Sequence, residues 1–568
     1  ADDLAKVYGK GKPYRHGRVE NMFVENFLEL VLEEIKQNSK VKFKESDLFR
    51  VYQSIDLGNL ASDAPENIAN LPSLLKLKAA LYSPKYRSFV ERIAHLEPGT
   101  LTDQVDCAAN CHAPGCHLLC HDDVIGTRRV SYILYLTERG WTKEEGGALE
   151  LYDHDVETTN GDDDEKKQPQ QRVPQPSPCK TILPLFNSMA YFGVEPGASF
   201  HAVQEVFGAR PRLSIQGWYH AATTPQHMEE ATLSQLKSRG GEDNTEGDFA
   251  VFEQSESAKA NGDHKMDPDD DGTAEVTTLS KSDHDFLVQY LNETYLSPAS
   301  IKEIRERFEE DSSVQLRQFL KKEWIQKLDN SMVKDNDGDG NGAPALDYQQ
   351  RVSDDWKVVG PAHKQRFLEY TGNHTKDDES GPLLMQLKQK VFQSPPFGRF
   401  LECITSLGMP LGYRGRVRRF RPGLDYTVAH YGILTTQPVL DATLCFCAGT
   451  GEQCRVDEET GDLLGTDADA IWASGDCGGF ECYIEADDDG DDGSTVEAAK
   501  QEAADEYNDE DDTELLSVSA SNNTLSLVYR DPGTMRFVKY VGCRAPSSRW
   551  DVSMEYEVED NDEEGGEE

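Results

Sequence analysis

The chain has 568 residues, more than one hydrophobic core usually organises, so its length predicts two or more domains. Its 103 Asp and Glu against 58 Lys and Arg give a formal net charge of −45, which argues against a surface for duplex DNA or an anionic membrane and favours a basic protein partner. No apolar run reaches the roughly 18 residues of a membrane-spanning helix.

In chain order, residues 1–14 lack the basic-then-apolar start of a secretory signal, and 12 Cys are too sparse for a disulfide scaffold. Both point to a reducing compartment, the nucleus or cytoplasm. Residues 20–37 have the spacing of an amphipathic helix, with Met22, Phe23, Phe27, Leu30, Val31 and Ile35 apolar. Cys107, Cys111, Cys116 and Cys120, interleaved with His112 and His117, invite a zinc or disulfide reading. Their spacing differs from common zinc ribbons, so reduced loop cysteines are expected.

From 128 to 220 the texture is one of short β-rich runs: Val130–Leu136, Leu149–Tyr152, Thr181–Leu185, Met189–Val194, Phe200–Val206 and Leu213–Tyr219. Closely spaced strands suggest a sandwich or jelly roll, with helices covering one face. Acidic stretches at 153–167 and 241–273 carry about −5 and −9 and read as mobile loop and linker. Helical periodicity returns with Ile301, Ile304 and Phe308, then Leu316, Phe319, Leu320 and Ile325. The run from Asp335 opens like a calcium-binding loop, but position twelve is Leu346 and Pro344 obstructs the exiting helix, so calcium is not expected.

A second β-rich region spans 415–556, with candidate strands Asp425–Tyr431, Thr443–Cys447, Phe480–Ile484, Leu525–Tyr529, Arg536–Tyr540 and Trp550–Tyr556. Arg414, Arg416, Arg418, Arg419 and Arg421 cluster at its start, which fits a salt-bridged folded surface better than RNA contact. Residues 485–514 and 559–568 add about −14 and −7 as loop and tail, leaving about −10 outside the four acidic stretches.

The chemistry-bearing constellation starts at Cys120-His121-Asp122-Asp123. In extended chain, His121 and Asp123 face the same side and can reach one metal, while Asp122 points away. His201 offers a third ligand. Two His and a carboxylate form the facial triad of non-haem Fe(II) oxygenases. Arg212, eleven residues after His201 on another strand-like run, suits the distal carboxylate of a dicarboxylate cosubstrate.

The segments PYRH at 13–16, DLFRVYQSIDL at 47–57, LLCHDDVIGTRRVSYILYL at 118–136, SFHAVQEV at 199–206 and RLSIQGWYH at 212–220 resemble the 2-oxoglutarate- and iron-dependent ribosomal prolyl 3-hydroxylases. The likeness continues through 291–323, 478–488 and 523–541. It implies His121, Asp123 and His201 as iron ligands, Arg212 as the holder of the distal 2-oxoglutarate carboxylate, and Tyr135 as a hydroxyl partner to that carboxylate. Tyr132 is the competing tyrosine, with sheet packing as its alternative role. Gly146 and Gly147 resemble a tight turn before a strand, and Tyr152 reads as core.

The resemblance further implies a mainly-β or α+β protein with two double-stranded β-helix (jelly-roll) domains and flanking helices, the second lacking the iron site. The implied boundaries are a catalytic domain over 1–235, an acidic flexible linker over 236–282, and over 283–568 a helical connector with the second domain. His430-Tyr431-Gly432 lacks the carboxylate of His-x-Asp, and 537–540 offers no His, which agrees with a non-catalytic second domain. The implied cofactors are Fe(II), 2-oxoglutarate and O₂, with ascorbate as a candidate reductant. The implied substrate is a prolyl residue, at C3 with C4 as a further position, in a basic small-subunit ribosomal protein. A hydroxylase of another protein on the same fold, or an acidic adaptor or chaperone for basic ribosomal or nuclear proteins, are the alternatives.

Overall fold

The computed structural model describes all residues except 157–171, 233–235, 237–247, 253–277, 337–346, 373–378, 436, 448–454, 457–462, 466, 487–513 and 560–568. Most of the four acidic stretches, and the calcium-loop-like run from 337 onward, therefore lie outside the described residues. Among the described residues, no helix is long and apolar enough to cross a membrane.

The N-terminal strands are β1 (His16–Glu20), β2 (Val41–Glu45), β3 (Phe49–Ser54), β4 (Leu101–His112), β5 (His117–His121), β6 (Arg128–Tyr135) and β7 (Leu149–Leu151). They continue with the small pair β8 (His154–Val156) and β9 (Arg172–Pro174), then β10 (Lys180–Ile182), β11 (Ser188–Gly193), β12 (His201–Val203) and β13 (Arg212–Ala221). Apart from that pair they form one 11-stranded curled sheet of order β1-β11-β6-β13-β4-β3-β5-β12-β7-β10, with β2 paired to β3. Every pairing in it is antiparallel, as in a double-stranded β-helix.

The pleat assigns alternate residues to two environments. On β6, Tyr132 and Leu134 face a core shared with the helices Glu25–Asn38, Pro72–Leu81 and Pro84–Ile93, whereas Ser131 and Ile133 face a cavity inside the sheet. The helices use Leu28, Val31, Leu32, Ile35, Leu74, Leu77 and Leu81 for that contact. The Glu34 carboxylate accepts the Ser73 and Leu74 amides at 2.8 and 2.9 Å, capping the Pro72–Leu81 helix from its neighbour. Leu30, expected on the apolar face, is instead 57 % exposed. The helix begins only at Glu25, so Met22 and Phe23 precede it and the buried stripe is phased two residues from Leu30.

Cys107 and Cys111 lie on β4 and Cys120 on β5, so they are strand rather than loop residues, and all are free thiols. A period-two segment with short polar side chains resembles a loop in composition, which hid β4 from sequence reasoning. A similar masking affects 313–325: Ser313–Arg317 is a strand, and the helix starts at Lys322. Within the expected flexible linker, Ala250–Val251 pairs with a later strand and Phe252 is buried, because this apolar triple interrupts the acidic run.

The C-terminal strands are β14 (Ala250–Val251), β15 (Ser313–Arg317), β16 (Trp356–Val359), β17 (Gln365–Tyr370), β18 (Gly412–Phe420), β19 (Tyr426–Thr427) and β20 (Val439–Phe446). They continue with the pair β21 (Arg455–Val456) and β22 (Leu463–Gly465), then β23 (Glu481–Glu485), β24 (Glu514–Val518), β25 (Thr524–Arg530), β26 (Thr534–Val538) and β27 (Arg549–Glu557). A nine-stranded sheet runs β15-β25-β20-β27-β18-β17-β16, with β14 paired to β18 and β19 to β17, and β24-β23-β26 forms a smaller one. The run β15-β25-β20-β27-β18 repeats the connectivity of β1-β11-β6-β13-β4.

The arginine cluster is internal to this sheet and paired: Arg414 with Glu555, Arg418 with Asp551, Arg421 with Asp425. The helical phase is directly testable. Leu28→Ala should cost about 2–5 kcal/mol in chemical denaturation, whereas Leu30→Ala should stay within about 0.5 kcal/mol.

Candidate active site

His121, Asp123 and His201 converge although 80 residues separate the two histidines. β12 pairs with β5 so that His201 stands opposite His121. The His121 and His201 rings lie 4.3 Å apart. Asp123 Oδ1 is 3.2 Å from His121 Nε2, and its Oδ2 is 3.2 Å from His201 Nε2. One ligand atom from each residue fits within 4.8 Å of the others, and it is the one such cluster of three among the described residues.

Both imidazoles are oriented alike. His121 Nδ1 lies 2.8 Å from the Leu119 carbonyl and His201 Nδ1 lies 2.8 Å from the Ser199 carbonyl. A proton on each Nδ1 would leave both Nε2 lone pairs facing the carboxylate, as metal ligation requires.

Asp123 reaches the site by a different route from the one extended geometry suggests. β5 ends at His121, and Asp123 has φ of 63°, a left-handed conformation that Asp tolerates better than most residues. Asp122 does point away. Its carboxylate accepts the amides of Val124, Gly197 and Thr232 at 3.2, 3.0 and 3.1 Å, tying the loop before His201 to the loop after His121. Burial penalises the Asp123 charge, but the two imidazoles outweigh it and hold the carboxyl well below its usual range. For His121, burial is likewise outweighed by Asp123, which raises the imidazole above its ordinary value.

Arg212 opens β13 opposite His112 at the end of β4, and Ser214 stands opposite Tyr135 on β6. The Arg212 guanidinium is fully buried and sits 5.1 Å from the centre of the Tyr135 ring. One of its terminal nitrogens approaches His112 Nδ1 at 3.3 Å and Ser214 Oγ at 3.4 Å. Its Nε and other terminal nitrogen have no hydrogen-bond partner of good geometry, and neither does the buried Tyr135 hydroxyl. Burial, then Arg212, push the His112 imidazole well below its ordinary range, so it stays neutral and can accept from the guanidinium.

A buried guanidinium without an anionic partner costs on the order of several kcal/mol. This donor set therefore fits an anionic group with planar, bidentate geometry, such as the carboxylate of 2-oxoglutarate. Gly147, at φ 67°, admits the arginine stem: a Cβ there would lie 2.9 Å from Arg212 Cδ. Tyr132 packs in the helix-facing core, and Tyr152 is buried on the far side of the sheet.

A cavity of about 810 Å³ opens over the triad. Its wall holds residues that sequence reasoning missed. The Arg128 guanidinium lies 3.5 Å above the Trp218 ring, Asp106 is 3.8 Å from Arg128 Nε, and His220 Nε2 is 3.0 Å from Asp106. The available signal was period two: Ser214, Gln216 and Trp218 share the parity of Arg212 on one strand.

The family model described as 2OG-Fe(II) oxygenase superfamily matches residues 107–220, and that described as oxoglutarate and iron-dependent oxygenase degradation C-term matches 282–564. The chain is 36 % identical over 557 residues to prolyl 3,4-dihydroxylase OGFOD1 of Ostreococcus tauri, covering 96 % of this chain and 95 % of that protein. It is 27 % identical over 549 residues to prolyl 3-hydroxylase OGFOD1 of Xenopus laevis, covering 93 % and 83 %. Prolyl 3-hydroxylase sudestada1 of Drosophila melanogaster is 25 % identical over 535 residues, covering 91 % and 78 %.

The raised His121 value fixes the sign of one pH dependence. Ligation by His121 would require the neutral imidazole, so metal binding there would displace a proton at pH values where the ring is charged. The apparent Mn(II) affinity of the metal-free protein, measured by titration, should weaken as pH is lowered from alkaline to mildly acidic. A flat profile would contradict the assignment of His121.

Proposed function

Because the chain belongs to the OGFOD1 prolyl hydroxylase family of Fe(II)- and 2-oxoglutarate-dependent oxygenases, we propose that it hydroxylates a proline, at C3 and in some contexts also C4, of a basic small-subunit ribosomal protein. It is a 2-oxoglutarate-dependent prolyl hydroxylase whose cofactors are Fe(II), 2-oxoglutarate and O₂. The observation that carries the reading is the joint occurrence, in one curled sheet, of the His121–Asp123–His201 cluster and the unsatisfied Arg212–Tyr135 pair.

In this reading His121, Asp123 and His201 hold the iron, and Arg212 with the Tyr135 hydroxyl holds the distal carboxylate of 2-oxoglutarate. Bound there, the iron supplies the redox chemistry that couples decarboxylation of 2-oxoglutarate to succinate with oxygenation of a substrate C–H bond. The chain's own work is placement. The Leu119 and Ser199 carbonyls hold the imidazole orientation. Asp122 fixes the loops that carry the ligands. The Trp218 ring, braced by Arg128, offers a flat apolar wall to a pyrrolidine ring, and Asp106 and His220 hold Arg128 in place.

We assign the C-terminal sheets to a second, non-catalytic double-stranded β-helix domain. Arg549 opens β27 opposite the last residue of β18, as Arg212 opens β13 opposite the last residue of β4. Where Arg212 has Ser214 two residues on, Arg549 has Asp551, whose carboxylate it contacts directly. The anion-binding position is thus filled from within. The net charge of −45 supports long-range attraction of a basic substrate.

The test is mass spectrometry of a proline-containing peptide from the small-subunit decoding-centre protein after incubation with enzyme, Fe(II) and 2-oxoglutarate. One or two added oxygen atoms on proline are expected, with matching succinate. Succinate release from other proteins alone would move the assignment to another substrate; no iron-dependent succinate at all would sink the enzymatic reading. Arg212→Ala should raise the KM for 2-oxoglutarate about 10- to 100-fold, the equivalent of a lost charge-assisted contact. Arg128→Ala should raise the peptide KM and leave that for 2-oxoglutarate unchanged, and a shift in both would contradict its placement on the substrate wall.

A further inference from the structure

The strands that bring the metal ligands together have a second face, and that face is covered by the C-terminal half. Inward, Leu118, His121 and His201 line the cavity. Outward, Leu119 packs with Tyr426, Val428 and Tyr540, while Cys120, Phe200 and Ala202 pack with Ala362. The His363 ring lies over Phe200 at 5.8 Å, and the His117 ring lies 4.2 Å from Tyr540. The residues on either side of His201, and the two just before its partner His121, are therefore pressed against a different part of the chain.

Two buried carboxylates are set into this contact, both level with residues that follow His201. Glu150 is the cross-strand partner of Ala202. It accepts from the Tyr348 hydroxyl at 2.6 Å and the Tyr152 hydroxyl at 3.1 Å, and the Tyr152 oxygen accepts from Arg366 at 3.3 Å. Glu205, four residues beyond His201, accepts from the Tyr540 hydroxyl at 3.2 Å and the Cys543 amide at 2.8 Å. Its own carbonyl accepts the Gly147 amide at 3.0 Å, beside the Arg212 stem.

Both carboxylates are 2 % exposed, and burial raises each above its ordinary value. Without these donors each would be a strongly destabilising buried group. β12 has only three residues, so few ladder bonds of its own fix the direction in which His201 points. The carboxylates that follow it in the fold, Glu150 and Glu205, are held mainly by groups from residues 348–543.

We propose that Tyr348 and Tyr540 are positioning residues for the metal centre: by donating to Glu150 and Glu205 they fix the strand of His201 so that its imidazole meets His121 and Asp123 in ligating geometry. The inference rests on the reading of His121, Asp123 and His201 as the Fe(II) site. It makes the C-terminal half a determinant of metal affinity, before any substrate is engaged.

The experiment uses the full-length, metal-free protein, titrated with Mn(II) under electron paramagnetic resonance and with Co(II) under visible absorption, well below the melting temperature. Tyr348→Phe and Tyr540→Phe keep the ring packing and remove only the hydroxyl. Each should weaken Mn(II) binding about tenfold, the lower end of effects from groups that orient metal ligands, and alter the Co(II) ligand-field bands. Glu205→Gln, which keeps an acceptor for the Cys543 amide, should act in the same direction should a tyrosine variant fail to fold.

Asp283→Asn serves as the control. It breaks the pair with Arg399 inside the C-terminal half, away from the ligating strands, and should lower the melting temperature without changing metal affinity. Tyrosine variants that lose thermal stability yet retain wild-type Mn(II) affinity and Co(II) bands would overturn the inference alone. Wild-type Mn(II) affinity that survives His121→Ala would overturn the metal-site reading and the inference with it.

Discussion

A guanidinium buried at the end of a curled sheet needs an anion, and the two sheets of this chain meet that need in opposite ways. Arg212 is fully enclosed beside a neutral imidazole, a serine hydroxyl and the Tyr135 ring, none of them an anion. Arg549, at the same place in the repeated connectivity, is neutralised by Asp551, which also takes a second arginine, Arg418. Such internal pairing removes the electrostatic reason to bind a ligand. The two positions differ in the residue two places along the strand, Ser214 after Arg212 and Asp551 after Arg549.

The same logic runs through the interior of the C-terminal sheet. Arg530 and Arg536 share Asp441, and Arg536 also reaches Glu481 and Ser553. Where the N-terminal sheet keeps a cavity of about 810 Å³, this interior is narrowed to about 60 Å³ by an ion-pair network. Replacing one member of such a network leaves its partners buried and uncompensated, which holds the arrangement in place as firmly as an apolar core would.

Local signals made the candidate ligands legible in the sequence and non-local ones hid their support. His121-x-Asp123, a strand-borne His201 and Arg212 are each readable because metal and carboxylate recognition demand particular side-chain types, two of them here only two residues apart. The route was less legible: Asp123 arrives through a left-handed backbone rather than through strand alternation. β4 escaped because its cavity-facing residues are small or polar, Asp106, Ala108, Asn110 and His112, so it lacks the apolar pattern of a strand. Trp218 and Arg128 could have been paired only by knowing that β13 lies beside β6. Leu30 shows the same weakness for helices, since the choice between two apolar stripes is made by the sheet that the helix meets.

Glu150 and Glu205 extend the charge argument to the relation between the halves. Read alone, each is a surface-type residue on a strand or just past one. Folded, each is buried against phenols and an amide contributed by chain some 190 to 340 residues away in sequence. A carboxylate in that setting is tolerated only while its donors stay in place, so the separation of the halves would expose two acidic groups to water on the back of the very strands that carry His121 and His201. Hydration there would favour a looser strand on the outside, and the pleat would transmit that loosening to the inside, because neighbouring residues on one strand face opposite sides of it. The acidic character noted at the outset thus divides in two: many of the carboxylates lie in stretches that set the overall charge, while these two, invisible in that total, tie the C-terminal half to the candidate metal site.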